Sequence, residues 1–595
     1  MESEVRSSDV AQPSHILRDV LLIVILSAVI LLPSHFTRGL WNPDEPRYME
    51  VAREMTAGGD YLVPHLNGDT YPEKGPLFFW LTAAVYQVTG SFNSGRTVAA
   101  VVGLGTLLLV YFLGRRLLPS RGGLLAALST LTLFLFFYIA KDGVMDPLMM
   151  FLETAALTAA YFAMESEKPR ARWLWLIFYG ATAFASLTKG PVGFFAPAVV
   201  VLIYALLSRK CVRLGGWAHL AGSVLLIAIA CAWLVPAILR AGWVGYGDIV
   251  LLRQSLSRAY ESYSHQHGPH YYIMQLPLYL FPWVFFAILG TVAAFLDWRR
   301  KGDRAALFMA LWFVAILLFF TVISGKRERY LLPMLPAVGL LTARYFMNAV
   351  RDGVRWPRLH KWFAAVTFDI FGLIGIVLCA APFAADKLAV RFAAGDPDAQ
   401  QFIAQMITPA VTAAAVITGL GLIALAVLGH VWTAKRMNLL RVATLLLVLT
   451  TALSLFGDLV LFAKLNPIKS SKNFDLTSLP YLKQADKSYM YVLGFSGAVN
   501  LYTGITHIPI IESDEKLAGA QASADAARKL AQALSADEKV VVVGDERQIL
   551  VALPVLPAKT WLTNRERVGH RSMLLISNVR WNDEPLLSEA LKVSR

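Results

Sequence analysis

Apolar residues come in long, nearly unbroken runs along this chain, each closed off by charge or by glycine and proline. Runs long enough to cross a hydrocarbon layer lie near residues 17–34, 97–114, 122–140, 146–164, 173–188, 191–208, 217–238, 271–296, 305–323, 330–349, 362–384, 408–432 and 441–463, and they predict thirteen transmembrane helices. The first run follows a polar start and lacks a small-residue cleavage site, so it reads as a retained anchor rather than a removed signal peptide. A shorter apolar stretch, 76–88, begins on Gly75-Pro76 and stops before Gly90. By length it is either a further span or a helix lying along the membrane edge.

Loop charge separates the two readings. With 76–88 left out of the count, every second loop from the N-terminus is short and basic: Arg115, Arg116 and Arg121; Lys168, Arg170 and Arg172; Arg209, Lys210 and Arg213. The series continues with Arg299, Arg300, Lys301 and Arg304; Arg351, Arg355, Arg358 and Lys361; then Lys435, Arg436 and Arg441. The positive-inside rule places all of these in the cytoplasm. The stretch 76–88 then becomes a juxtamembrane helix in the first outer loop, 35–95, and the chain from 464 onward lies outside.

In that tail the membrane pattern ends. Short apolar segments at 489–495, 508–511, 540–543 and 573–576 surround a helix-like stretch at 515–535. The fold class is therefore a polytopic α-helical membrane protein, with a transmembrane domain over 1–463 and a small C-terminal soluble α/β domain over 464–595. Composition agrees: 56% of the 595 residues are hydrophobic and 16% charged, and mean hydropathy is +0.53, which excludes an ordinary soluble enzyme. A formal charge of +14 would suit nucleic acid in a soluble chain. Here it belongs to cytoplasmic loops facing anionic membrane lipids, and no nucleic-acid partner is expected. Cys211, Cys231 and Cys379 have neither disulfide nor zinc spacing.

The same topology gathers the less routine polar residues on the outer face. They are Asp44, Glu45, Arg47, Arg53, Glu73 and Lys74; Lys141, Asp142 and Asp146; Lys189; Arg253, Arg258, His265, His267 and His270; and Lys326, Arg327, Glu328, Arg329 and Tyr330. Acids and cations from widely separated segments at one membrane edge suit an anionic lipid, whose phosphate the cations hold while its tail stays among the helices. Carboxylates beside a lipid phosphate suit sugar transfer, as a base on an acceptor hydroxyl or as a stabiliser of positive charge at the anomeric carbon. No phosphate loop of the form GxxxxGK[ST] is present, and a lipid-linked donor needs none.

The residues carrying this chemistry resemble a known family. The string Pro43-Asp44-Glu45-Pro46-Arg47-Tyr48, followed by Ala52-Arg53-Glu54-Met55, Gly59-Asp60-Tyr61-Leu62-Val63-Pro64 and Tyr71-Pro72-Glu73-Lys74-Gly75-Pro76, is similar to the first outer loop of the lipid A aminoarabinose transferases. These belong to the protein-mannosyltransferase-like GT-C superfamily of integral-membrane glycosyltransferases. Met145-Asp146-Pro147-Leu148, Leu187-Thr188-Lys189-Gly190, Gly268-Pro269-His270-Tyr271-Tyr272, Lys326-Arg327-Glu328-Arg329-Tyr330-Leu331-Leu332-Pro333 and Lys469-Ser470-Ser471-Lys472 extend the similarity. It implies transfer of a sugar, with inversion, from a polyprenyl phosphate such as undecaprenyl phosphate to a periplasmic-side acceptor, lipid A first among them, in a bacterial inner membrane. By the same resemblance Asp44 is the leading catalytic carboxylate and Asp146 the second. Lys74, Arg258 and Tyr330 contact the carrier phosphate, and Glu73 lines the same cavity, with Glu45, Lys189 and His267 as further substrate-binding candidates. Where the family tends to carry Glu-His, this chain has Gln254-Ser255; no metal and no other cofactor is expected.

Structural readings stand beside these. Acids at 44 and 45 also suit a helix N-terminus, Lys189 also suits a helix end reaching for headgroups, and Glu153, Asp369 and Asp458, inside apolar runs, suit structural pairing or protonation. A protein or glycan acceptor is the alternative within enzymes. A lipid or glycan transporter is the alternative outside them, disfavoured by the one-sided charge and by the lack of an obvious inverted repeat.

Overall fold

The computed structural model describes residues 13–119, 121–214, 216–249, 267–392, 406–435, 439–491, 496–512, 519–569 and 571–591. The chain forms two compact units, one of Met1–Thr37, Pro72–Phe78 and Arg96–Ala463, the other of Arg38–Tyr71, Phe79–Gly95 and Lys464–Arg595.

The first unit is helical because a backbone in lipid finds no water and must close its hydrogen bonds within the segment. Among the described residues nine helices are long and apolar enough to cross a membrane: His15–Thr37, Ser94–Leu117, Asp146–Glu165, Trp217–Ala241, Arg304–Val322, Glu328–Asp352, Pro357–Ala384, Pro409–Ala434 and Leu439–Gln484. The pair His270–Tyr279 and Val284–Lys301, bent by 113°, is a tenth if read as one span. The three remaining expected spans are helical too, but each departs from a complete span. Residues 122–140 break into Gly122–Leu131 and Phe134–Ile139, Val192–Leu207 has 16 residues, and Lys168–Lys189 carries charge at both ends. Leu77–Thr89, with 13 residues, reaches only about 20 Å, short of the hydrocarbon thickness. Large apolar side chains such as Leu17, Phe195, Leu239 and Ile417 are exposed, presenting surfaces suited to lipid.

Several charges in this unit are paired between segments distant in sequence. Lys141 donates to Asp458 at 2.6 Å, with the two side chains 1% and 0% exposed, and the lysine also lies over the Phe137 ring. Asp458 sits in a π-helical turn, Gly457–Leu461. Arg344 bridges Asp297 at 2.9 Å and Asp303 at 2.8 Å, and Asp369 pairs with His430 at 2.9 Å.

The second unit differs from the expected domain division. Most of the first outer loop, assigned by sequence to the membrane domain, packs with the tail. The tail holds a four-stranded sheet of order β3-β4-β6-β5, from β3 (Lys487–Tyr491), β4 (Val540–Asp545), β5 (Trp561–Val568) and β6 (Arg571–Ser577), with β3 and β4 parallel and the other pairs antiparallel. Alternation along the strands feeds two cores. Val541, Val543, Met573 and Leu575 meet Phe474, Leu482 and Val499 on one face, while Val540, Val542, Leu574 and Ile576 meet Ala527, Leu530 and Leu534 on the other. The expected strand at 508–511 supplies only a bridge from Ile510 to Met490.

The segment 38–71 contributes the helix Asp44–Gly58 and a hairpin of β1 (His65–Leu66) and β2 (Asp69–Thr70). Its turn, Asn67-Gly68, has φ of 60° and 78°, the left-handed pair that a two-residue hairpin requires. The Glu54 carboxylate accepts both turn amides, at 2.7 and 3.1 Å, and Asn500 donates to the Asn67 side-chain oxygen at 2.9 Å. Leu40, Met49, Ala52 and Ala83 close an apolar core with Leu501. Packing on these groups accounts for the loop's place with the tail.

Removing one partner of the Lys141–Asp458 pair strands a buried charge, so Asp458→Ala is expected to cost about 3–5 kcal/mol, while Lys141→Met with Asp458→Leu recovers most of it. Thermal unfolding of the detergent-solubilised protein measures both.

Candidate functional site

In the membrane unit, a hairpin of near-equal helices brings two distant motifs together. Asp146–Glu165 has 20 residues and Lys168–Lys189 has 22, separated by two residues, so the first residue of one returns beside the last of the other. Asp146 opens the first helix and Lys189 closes the second, each at the end whose dipole favours its charge. Their side chains form a direct ion pair. The second Asp146 oxygen lies 3.9 Å from Arg329, which approaches Glu328 at 3.8 Å. The Lys189 ammonium also stands 4.4 Å from the centre of the Tyr330 ring.

The segment carrying Glu73 and Lys74 is placed by the glycine that follows. A Cβ on Gly75 would stand 2.0 Å from the backbone oxygen of Leu187, so only glycine allows this approach. Leu187 lies two residues before Lys189, which brings the Glu73-Lys74 segment to the same helix end. Both side chains are half-buried. Two turns along from Asp146, Glu153 is fully buried, and among the described residues neither carboxyl oxygen has a hydrogen-bond partner.

In the second unit, Asp44 and Glu45 form the first turn of Asp44–Gly58, and both are buried. Asp44 is ion-paired with Arg47, whose guanidinium also lies over the Tyr48 ring. Glu45 accepts the Trp41 amide at 2.8 Å and lies 3.7 Å from Arg38, which covers the Trp41 ring at 4.3 Å. One turn further, Glu50 takes both arms of Arg53 at 2.7 Å. Burial pushes the Glu50 carboxyl up to about 8, opposed by Arg53. The helix-start reading of Asp44 and Glu45 thus holds.

Other candidates fall elsewhere. Lys141 is buried with Asp458 rather than joined to Asp146. Lys326 is buried and donates to the Ile323 carbonyl at 2.5 Å. Tyr272 fixes the next residue, its hydroxyl bonding both the C=O and the N–H of Arg327, at 3.0 and 3.2 Å. His267 is exposed, its amide donates to the Ser324 carbonyl at 3.4 Å, and its ring stacks on Tyr271 with centroids 4.3 Å apart. Arg253, Arg258 and His265 lie outside the described residues. No group of three or more potential metal ligands occurs among the described residues. The sequence reading did not single out Arg38 or Trp41, although a cation and an indole just after the first apolar run were a legible signal.

Together these features define a class by fold: a polytopic α-helical membrane protein. A crystal structure of ArnT from Cupriavidus metallidurans bound to undecaprenyl phosphate matches with a TM-score of 0.72 and 19% identity, over 96% of this chain and 99% of that one. The apo oligosaccharyltransferase of Archaeoglobus fulgidus matches with a TM-score of 0.51 and 14% identity, over 96% of this chain and 75% of that one. The family model of dolichyl-phosphate-mannose-protein mannosyltransferases matches residues 73–235.

Within that class, the chain is similar in sequence to undecaprenyl phosphate-aminoarabinose arabinosyl transferases. Undecaprenyl phosphate-alpha-4-amino-4-deoxy-L-arabinose arabinosyl transferase 1 of Sodalis glossinidius is 33% identical over 55% of this chain and 58% of its own length. The enzyme of that name from Pectobacterium atrosepticum is 30% identical over 60% of this chain and 64% of its own length. The alignments thus span less than two thirds of these relatives.

The Gly75 contact predicts opposite signs for two glycine substitutions. Gly75→Ala is expected to destabilise by roughly 1–3 kcal/mol, whereas Gly421→Ala, in a helix with open space around it, is expected to stabilise by about 0.5–1 kcal/mol. Thermal unfolding in detergent checks both.

Proposed function

We propose that this protein is an inverting glycosyltransferase that takes a sugar from undecaprenyl phosphate and transfers it to lipid A at the periplasmic face of a bacterial inner membrane. One observation carries the reading: Asp146 held between Lys189 and Arg329, with Tyr330 against the lysine, where membrane helices end. An isoprenoid phosphate would arrive there with its chain in lipid and its charge among cations. The names of the sequence relatives support 4-amino-4-deoxy-L-arabinose as the sugar.

In the proposed reaction the bond from the anomeric carbon to the carrier phosphate breaks, and its electron pair leaves on the phosphate. An acceptor oxygen forms the new bond from the opposite side, inverting the centre. Lys74, Lys189, Arg258 and Tyr330 hold the departing phosphate and stabilise its growing charge, while Glu45, Glu73 and His267 are assigned to the substrates' surroundings. Asp44, assisted by Asp146, orients the acceptor. A hydroxyl acceptor gives its proton to Asp44. A lipid A phosphate has none to give, and Asp44 then positions groups and offsets positive charge at carbon. No step uses a metal.

A protein acceptor is the second reading, favoured by the mannosyltransferase family match over 73–235. Mass spectrometry of lipid A from cells with and without the gene, beside a labelled-protein assay, distinguishes them: a sugar on protein and not on lipid A would overturn the first.

Asp44→Asn and Asp146→Asn are expected to lower transfer by about 10²–10⁴-fold, read as product per enzyme with purified donor and acceptor. Full activity in a folded Asp44→Asn variant would sink its assigned role. Chelation with EDTA is expected to leave the rate unchanged.

A further inference from the structure

The tail beyond the last span has no role in the reaction as derived so far, yet it packs directly behind the helix that carries Asp44. Gly497 lies in the tail helix Ser496–Thr503. A Cβ there would stand 2.7 Å from Arg47 Cα and 3.1 Å from Arg47 Cβ. Arg47 is the ion-pair partner of Asp44. Two further attachments flank this contact. Before the helix, the Asn42 amide donates to the Lys469 carbonyl at 2.9 Å and the Gly39 amide to the Asn466 side chain at 2.8 Å. Beyond it, Glu54 holds the Asn67-Gly68 turn, and Asn500, three residues after Gly497, bonds Asn67. The Asp44 helix is thus fixed just before its start, in its first turn and towards its far end, each time by tail residues or through a turn that they bind.

We propose that the tail is a positioning element of the transfer reaction, and that Gly497 and Asn500 are positioning residues that set where Asp44 stands. This rests on the assignment of Asp44 to the transfer. Neither residue touches substrate. Their effect passes through the backbone of Arg47 and through the Asn67 turn to the first helical turn. Displacing a reactive group by about 1 Å can cost on the order of 100-fold in rate without altering affinity at a separate subsite. The carrier phosphate is assigned to Lys74, Lys189, Arg258 and Tyr330, so its binding should not follow the tail substitutions.

The test uses the full-length protein in detergent with Gly497→Ala, Gly497→Val, Asn500→Ala and Asp44→Asn. Three quantities are read: kcat for transfer, affinity for undecaprenyl phosphate alone, and the thermal unfolding midpoint. Gly497→Val is expected to lower kcat on the order of 100-fold with phosphate affinity unchanged, and Gly497→Ala to fall between it and the parent. If Gly497→Val does not fold, Asn500→Ala carries the test, with an expected loss of about tenfold in kcat at unchanged phosphate affinity. Unchanged kcat in the Gly497 and Asn500 variants beside an inactive Asp44→Asn overturns the positioning role and leaves the functional reading intact. Loss of phosphate affinity in step with kcat overturns it too, since general disruption would account for both. An active Asp44→Asn instead overturns the functional reading on which this rests.

Discussion

A charge held away from water is stabilised by an opposite partner, and in the membrane unit such pairs tie together segments that are distant in sequence. Lys141 and Asp458 are far apart in sequence and buried together. Arg344 reaches Asp297 and Asp303 from another helix, and Lys189 returns along a helical hairpin to Asp146. Transfer of hydrophobic surface gives no comparable direction in lipid, where chains and side chains are equally apolar. The ion pairs therefore specify the arrangement that the apolar runs merely permit.

The second unit adds another means to its own ion pairs. Its carboxylates accept backbone amides: Glu45 from Trp41, Glu54 from Asn67 and Gly68. Such bonds satisfy peptide groups that would otherwise be buried unpaired, and they fix the chain path as well as the charge. Arg38 and Lys469 flank the Trp41 indole, at 4.3 and 6.0 Å from its ring. A loop fastened this way belongs to the body that supplies its partners.

That explains what the sequence carried and what it did not. The apolar runs marked each membrane helix because lipid exposure leaves continuous hydrophobic stretches. Loop charge separated Leu77–Thr89 from them. The break at residues 132–133 was illegible, since Thr132 and Leu133 do not interrupt hydropathy. Membership of the outer loop in the tail unit rests on single polar contacts, Asn500 to Asn67 above all, that have no periodic signature. Strand β5 escaped because its sequence, WLTNRERV, is mostly polar and gives only Val568 to one core and Leu562 to the edge of the other. The motif around Asp146 and Lys189 was legible as residues, and their meeting followed from two helices of similar length.

The position of an acid along its helix separates an ion pair that can open from one that cannot. Asp146 begins a helix, so a phosphate drawing Lys189 or Arg329 away leaves the carboxylate facing unbonded amides and a favourable dipole of about 0.3–1 kcal/mol. Its remaining cation adds to that. Asp458 sits within a continuous helical stretch, where the surrounding backbone amides are already used and breaking the pair costs about 3–5 kcal/mol. Lys141–Asp458 is thus suited to holding helices together permanently. On the proposed function, Asp146–Lys189 is suited to exchange: an anion that competed for the lysine would also free the acid, coupling arrival of a phosphate to exposure of a carboxylate.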